Sequence, residues 1–213
     1  MSTYSPVCQL FHVKIHVILY MCLFNSSKIP DKAIVALRGE TVFGLAVKLN
    51  DQTAINKLMR LKDRPFDSDK QFVIALDSKD EIGKYALISP KAKKIIDKYL
   101  PGPLTLVLPK NPDFAHPYFD HFSTIGVRVP IFKPLNKVLR RNGPILLTSA
   151  NLRGAPPARS TKELRQNTTL SQHITKIFPG RIGNNPPTTI LKIDEKDHLS
   201  ILRQGALKIL EAK

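Results

Sequence analysis

The chain has 213 residues, 42% of them apolar and 23% charged, a balance that fits one globular domain and excludes a wholly disordered chain. Thirty-three Lys and Arg against 17 Asp and Glu leave a net charge of +16, which points to anionic partners. No apolar run reaches the ~18 residues that a bilayer span needs.

Residues 12–24 (HVKIHVILYMCLF) are apolar but broken by Lys14 and His16, and they lack the basic start and small-residue cleavage site of a secretory signal. Residues 1–27 are read as an N-terminal extension of the domain at 28–213. Cys8 and Cys22 form no Cys-x-x-Cys pair, so neither a zinc site nor a disulfide framework is expected, and a reducing, cytoplasmic setting follows.

Ala33–Leu37 predicts a buried strand ending in a turn at Arg38-Gly39. Asp51 can cap a helix whose Ala54, Ile55, Leu58, Met59 and Leu61 recur at helical spacing. Phe72–Leu76 reads as a second buried strand. Ser89-Pro90 opens a basic helix with Ala92, Ile95, Ile96 and Tyr99 on one face, closed by Pro101-Gly102-Pro103. Leu104–Leu108 and Ile125–Val129 read as strands. Leu135, Val138 and Leu139 mark a helix stopped by Asn142-Gly143. Pro144–Thr148 is a strand, Thr161–Gln166 a helix, and Thr188–Ile193 and Leu199–Leu202 the last strands. The alternation predicts an α/β fold with a mixed sheet, and the loops Arg153–Ser160 and Pro179–Pro187 read as functional.

Several familiar sites are missing. Gly39–Gly44 has the glycine spacing of a P-loop, but Leu45-Ala46 stand where Lys-Ser/Thr would be. His116, Asp120 and His121 lack a further ligand for a metal site, and no metal-binding cluster is expected. What remains is polar residues at strand ends: Lys62, Arg64, Lys70, Thr124, Arg128, Ser149, Asn151 and Arg203. Open α/β sheets gather ligand groups there, and Lys and Arg are suited to phosphate or carboxylate. Spacing alone leaves a solvated surface open beside a nucleotide site.

The same residues carry a resemblance to the threonylcarbamoyl-AMP synthase (YrdC-like) family. It rests on Gly39-Glu-Thr-Val-Phe-Gly-Leu45, Lys62-Asp-Arg-Pro65, Leu100-Pro-Gly-Pro-Leu-Thr-Leu-Val-Leu-Pro109, Thr124-Ile-Gly-Val-Arg-Val-Pro130, Thr148-Ser-Ala-Asn-Leu-Arg-Gly154, Pro187-Thr-Thr-Ile190 and Ile201-Leu-Arg-Gln-Gly-Ala206. The resemblance implies a twisted mixed open sheet with surrounding helices and a concave basic face. It implies synthesis of L-threonylcarbamoyladenylate and pyrophosphate from L-threonine, bicarbonate or CO2, and ATP, a nucleotidyl transfer. The product would go to a separate transferase complex for threonylcarbamoyladenosine at position 37 of tRNAs reading ANN codons.

By position the resemblance implies ATP contacts from Lys62, Arg64, Lys70, Thr124, Asn151 and Arg203, and threonine contacts from Arg128, Ser149 and Thr188. Lys62, Arg64, Ser149 and Asn151 form its catalytic set. Magnesium is expected with ATP, without a protein-held metal. The chain departs from the family at Arg38 (for Pro), Gly39 (for Thr), Phe43 (for Tyr), Ala75 (for His) and Arg159 (for Ser or Thr), where Ser160 or Thr161 could substitute. A non-catalytic protein binding tRNA or double-stranded RNA on the same fold is the alternative, favoured by the +16 charge. A carbamoyl-handling relative of hydrogenase maturation is a third, which the short chain disfavours.

Overall fold

The computed structural model describes residues 27–40, 42–64, 71–178 and 186–210. The segment 1–26, with both cysteines, and Lys70 lie outside the described residues, as does most of the loop 179–187.

Nine strands form one open mixed sheet in the order β7-β1-β2-β6-β3-β5-β4-β8-β9. In chain order they are β1 (Ile34–Arg38), β2 (Phe43–Lys48), β3 (Val73–Ala75), β4 (Leu104–Pro109), β5 (Thr124–Arg128), β6 (Ile145–Ser149), β7 (Ile174–Ile177), β8 (Thr189–Ile193) and β9 (Leu199–Arg203). The helices are α1 (Gln52–Leu61), α2 (Pro90–Tyr99), α3 (Lys133–Asn142), α4 (Thr161–Gln166) and α5 (Thr168–His173), with a 3-10 turn at Lys79–Lys84. The strand β3 pairs parallel with β5, β4 with β8 and β1 with β7, while the other neighbours run antiparallel.

The predicted punctuation is seen in place. Asp51 accepts from the Ala54 amide at 3.0 Å and caps α1. Ser89 caps α2 ahead of Pro90, and Gly143, at φ 72°, ends α3 in a conformation glycine adopts at little cost.

Central strands are buried on both faces, which is why they read as continuous apolar runs. On one face, Ile34, Ala36, Phe43, Leu45 and Val47 pack with the apolar stripes of α1 and α2 in the larger core. On the other, Val35, Leu37, Ala46, Ala75 and Ile145 meet Leu135, Val138 and Leu139 of α3. The helix α3 covers part of this second face, and the rest forms the wall of a cavity.

Candidate nucleotide and amino-acid site

The cavity has a volume of about 1270 Å³ and is walled by alternate residues of the sheet, including Leu147, Val73, Gly126, Val107 and Ile190. Alternation follows from the period-two geometry of strands: the intervening residues point into the opposite core. Five cations line it, Arg38, Arg64, Arg128, Lys192 and Arg203, and among its described lining residues none is acidic. Thr124, Ser149 and Thr188 line it as well. Of the predicted site residues, Arg64, Thr124, Arg128, Ser149, Thr188 and Arg203 thus open on one space.

Lys62 and Arg64 owe their places to the way α1 ends. The Asp63 amide donates to Arg60 O at 3.1 Å and the Arg64 amide to Met59 O at 3.1 Å. With Asp63 at φ 47°, this is a Schellman termination around a left-handed residue. It sends the two cations flanking Asp63 to the helix C-terminus, where the macrodipole favours positive charge. Arg153 pairs with Asp63 at 2.9 Å on the outside of this turn.

Lys62 does not line the cavity. It is 3% exposed, and its Nζ donates to Ser149 O at 3.0 Å, Asn151 O at 2.5 Å and Asn151 Oδ1 at 2.8 Å. Burial, and then the nearby Arg64 charge, push its pKa down to about 8. Asn151 also lies behind the wall: its Oδ1 accepts from Ser149 Oγ at 2.6 Å, and its Nδ2 donates to Ala155 O at 2.5 Å. Lys62 and Asn151 together fix the end of β6, which presents Ser149 to the cavity.

Arg64 stands over the Phe72 ring at 5.3 Å, and Tyr118 stacks behind that ring at 5.1 Å. Burial lowers the Arg64 pKa, Tyr118 opposes that shift, and Arg153 adds to it. Gln71 Nε2 donates to Thr124 Oγ1 at 3.2 Å, while Gln71 Oε1 accepts the Gly126 amide at 3.2 Å. Arg203 donates from Nε and Nη2 to Thr188 O at 3.1 and 2.9 Å, and from Nη2 to Thr188 Oγ1 at 3.1 Å. Burial first, and then the Arg128 charge, lower the Arg203 pKa.

Arg128 already has a carboxylate. Its Nη2 donates to Glu40 Oε2 at 2.5 Å, and both side chains are close to fully buried. Glu40 Oε1 also accepts the Ile131 and Phe132 amides at 2.6 and 3.1 Å, anchoring the start of α3, which has no side-chain cap of its own. Glu40, Gln71 and Lys192 escaped the sequence reading. A carboxylate following the glycine turn was a usable signal for Glu40. Alternation along β8 was one for Lys192, since Ile190 and Lys192 share the cavity face.

The departures from the family pattern have physical settings here. Gly39 closes a turn onto Val42 O at 3.1 Å; a Cβ there would sit 2.7 Å from that same oxygen. Ala75 lies in the apolar cluster beneath α3. Ser160 is the cap of α4 and, with Glu163, forms a reciprocal capping box. Its hydroxyl is thereby committed to the helix rather than available in place of the residue missing at Arg159.

His116 is a core residue, with Nε2 at 2.9 Å from Leu49 O. Among the described residues, no group of three or more His, Cys, Asp or Glu side chains could hold a metal ion. Among them, too, no helix is long and apolar enough to cross a membrane.

The Sua5/YciO/YrdC family profile, described as "Telomere recombination", matches residues 27–205. A putative threonylcarbamoyl-AMP synthase of Methanocaldococcus jannaschii is 33% identical over 87% of this chain and 86% of its own. The threonylcarbamoyl-AMP synthase of Photobacterium profundum is 30% identical over 84% of this chain and 96% of its own. Among solved structures, P. abyssi Sua5 complexed with L-threonine superposes with a TM-score of 0.73 at 28% identity, over 84% of this chain. The chain spans about half, 52%, of that protein's length. E. coli YciO shares the fold with a TM-score of 0.78 at 21% identity, over 89% of this chain and 92% of its own. The open mixed sheet, its cation-lined hollow and the matched length together place this chain in the Sua5/YciO/YrdC family.

Proposed function

We propose that the protein is an L-threonylcarbamoyladenylate synthase, a nucleotidyltransferase that joins L-threonine, bicarbonate or CO2, and ATP. The observation that carries this reading is the convergence of Arg64, Thr124, Arg128, Ser149, Thr188 and Arg203, far apart in sequence, on one cavity whose described lining has no carboxylate.

Both reactants are negatively charged, so their approach is opposed by repulsion. A fixed wall of guanidinium groups offsets that repulsion and stabilises the charge that develops on the leaving pyrophosphate. The neutral amine of threonine forms an N–C bond to CO2 and loses a proton, giving a carbamate. One carbamate oxygen then bonds to the α-phosphorus as the bond to the β-phosphate oxygen breaks, and pyrophosphate departs with that electron pair. No covalent protein intermediate is needed, and holding the carbamate in line with the leaving group supplies much of the rate.

In this reading Arg64, Thr124 and Arg203 contact the nucleotide, with Lys70. Lys62 and Asn151 support it from behind the β6 end. Arg128, Ser149 and Thr188 face threonine. Magnesium would arrive on the triphosphate, and no step above runs through it. The product is a reactive mixed anhydride, consistent with prompt consumption by the transferase that modifies tRNA adenosine 37.

The test is incubation of purified protein with ATP, labelled bicarbonate and a panel of amino acids. Threonine-dependent label in an adenylate, with matching pyrophosphate release, is expected. Tight RNA binding without that product would replace the reading with the non-catalytic alternative. The α2 lysines support that alternative weakly, because Lys93 is paired with Asp97 and Lys91 donates to Asp197 O.

A further inference from the structure

Arg38, Glu40 and Arg128 meet around Phe132, at the start of α3. The Arg38 guanidinium carbon is 4.9 Å from the Phe132 ring centroid. Glu40 holds the Phe132 amide with one oxygen and Arg128 Nη2 with the other. Both arginines line the cavity. In each, Nε is sealed from solvent and has no hydrogen-bond partner among the described residues.

A buried N–H without an acceptor is unfavourable and marks a place where a ligand oxygen is missing. Two such donors stand at the same end of one cavity. One carboxylate, Glu40, faces two guanidinium groups there, and Arg203 lies close enough to Arg128 for their charges to interact. The α-carboxylate of one amino acid answers one of the two Nε donors. A second anionic group is needed for the other.

We propose that Arg38 binds the carboxylate of the one-carbon unit, first as bicarbonate and then as the carbamate on the amino acid nitrogen, while Arg128 takes the α-carboxylate. This rests on the reaction proposed above. An N-carboxylated amino acid is a dianion whose two carboxylate carbons are separated only by Cα and N. Two guanidinium groups converging beside Phe132 match that pairing, because each planar fork engages a carboxylate with parallel N–H donors. The family motif has proline at this position, with no donor to offer, so the contact is a property of this chain. Stacking on Phe132 holds the Arg38 stem while its Nε stays turned from solvent.

The experiment measures initial pyrophosphate release by the full chain in CO2-free buffer, titrating bicarbonate, threonine and ATP in turn. Arg38→Met keeps an unbranched stem on Phe132 and removes the donors; Arg38→Lys keeps the charge and loses the fork. The bicarbonate KM is expected to rise about tenfold in Arg38→Met and less in Arg38→Lys. The threonine and ATP KM values should move less than about twofold, a split that a general loss of structure would not produce. Should Arg38→Met fail to fold, Arg38→Lys with a native melting curve carries the same comparison.

An unchanged bicarbonate KM, or equal rises in all three, overturns the assignment. So does a wild type that turns over aspartate or glutamate and loses only that activity in Arg38→Met, since Arg38 would then read an amino acid side chain. A wild type that releases no pyrophosphate with any amino acid overturns the reaction itself, and that outcome is distinct from an active enzyme whose bicarbonate KM ignores position 38.

Discussion

Replacing Asn151 by Ala tests whether the site depends on a support lying outside the cavity. The Asn151 side chain makes three hydrogen bonds: from Lys62 Nζ at 2.8 Å, from Ser149 Oγ at 2.6 Å and to Ala155 O at 2.5 Å. Alanine removes all three but leaves Lys62 with the backbone oxygens of Ser149 and Asn151. A hydrogen bond from a charged donor contributes about 1.5–3 kcal/mol and a neutral one about 1 kcal/mol. Allowing for water entering the gap, the loss is about 3 kcal/mol. In a domain of this size that lowers the Tm by roughly 6–12 °C. A Lys62 ammonium freed to shift by an ångström would also misplace Ser149, so kcat/KM for ATP should fall at least about tenfold. Asn151→Asp keeps the acceptors and loses the Ala155 contact, so it should fall between. The assay pairs a thermal melt with initial pyrophosphate release. A Tm within about 2 °C of wild type together with full activity would refute the support role.

Other substitutions probe the remaining geometry. Arg64→Ala should raise the ATP KM by about tenfold or more with far-UV circular dichroism unchanged, because its loss removes a cavity cation without emptying the core. Glu40→Gln keeps an acceptor for the Ile131 and Phe132 amides but removes the charge opposite Arg128; threonine KM should rise several-fold, by about 1–2 kcal/mol, with ATP KM little changed. The Lys62 ammonium is lost as pH rises through about 8, so ATP affinity of the free enzyme, measured by calorimetry, should weaken across that value. Because its unfolded value is near the ordinary 10.5, the penalty of burying its charge is fully present below about 8 and fades toward 10.5, so this residue's contribution to stability moves the opposite way over that window. Gly205→Ala would put a Cβ 2.1 Å from Pro187 O, backbone against backbone, and should cost about 1–3 kcal/mol in denaturant melts while moving Thr188 and Arg203 together.

Elements with two independent local signals could be read directly from the chain. The helix α1 combined a capping Asp51 with apolar spacing, α2 combined Ser89-Pro90 with a stripe, and α3 ended at a glycine in a left-handed conformation. The strand β2 could not be read in that way, because the glycines at 39 and 44 drew attention to loop geometry. Gly44 in fact lies within a strand, where a Cβ would reach Leu147 on the neighbouring β6 at 2.7 Å. The short elements α5 and β7 were hidden for a different reason. Thr168–His173 and Ile174–Ile177 follow each other without a breaker, and β7 depends on its parallel pairing with β1, a contact about 140 residues away in sequence.

The site was legible as residue types and only partly as roles. Strand-end cations and hydroxyls can be picked out because ligands collect at the ends and faces of open sheets, but which of them touch solvent depends on strand order. Lys62 and Arg64 are two positions apart, yet the left-handed Asp63 between them turns one into the wall and the other into the cavity. Glu40 and Arg128 show the converse. They lie 88 residues apart and form a pair that no local pattern announces.

The cavity itself is a consequence of incomplete layering. A sheet of nine strands offers more surface than α3, with its ten residues, can cover on that face. The uncovered strands keep the period-two alternation but carry Gly126, Thr105, Thr124, Arg128, Ser149 and Lys192 where a buried face would carry Val or Leu. Filling that face with apolar side chains would stabilise the domain and abolish its function. The accumulated positive charge has the same trade-off, since like charges in one hollow repel in the free protein and are relieved only when anions enter. Binding of ATP should therefore raise the melting temperature more than contact area alone would suggest, and added salt should erode that gain by screening the same charges.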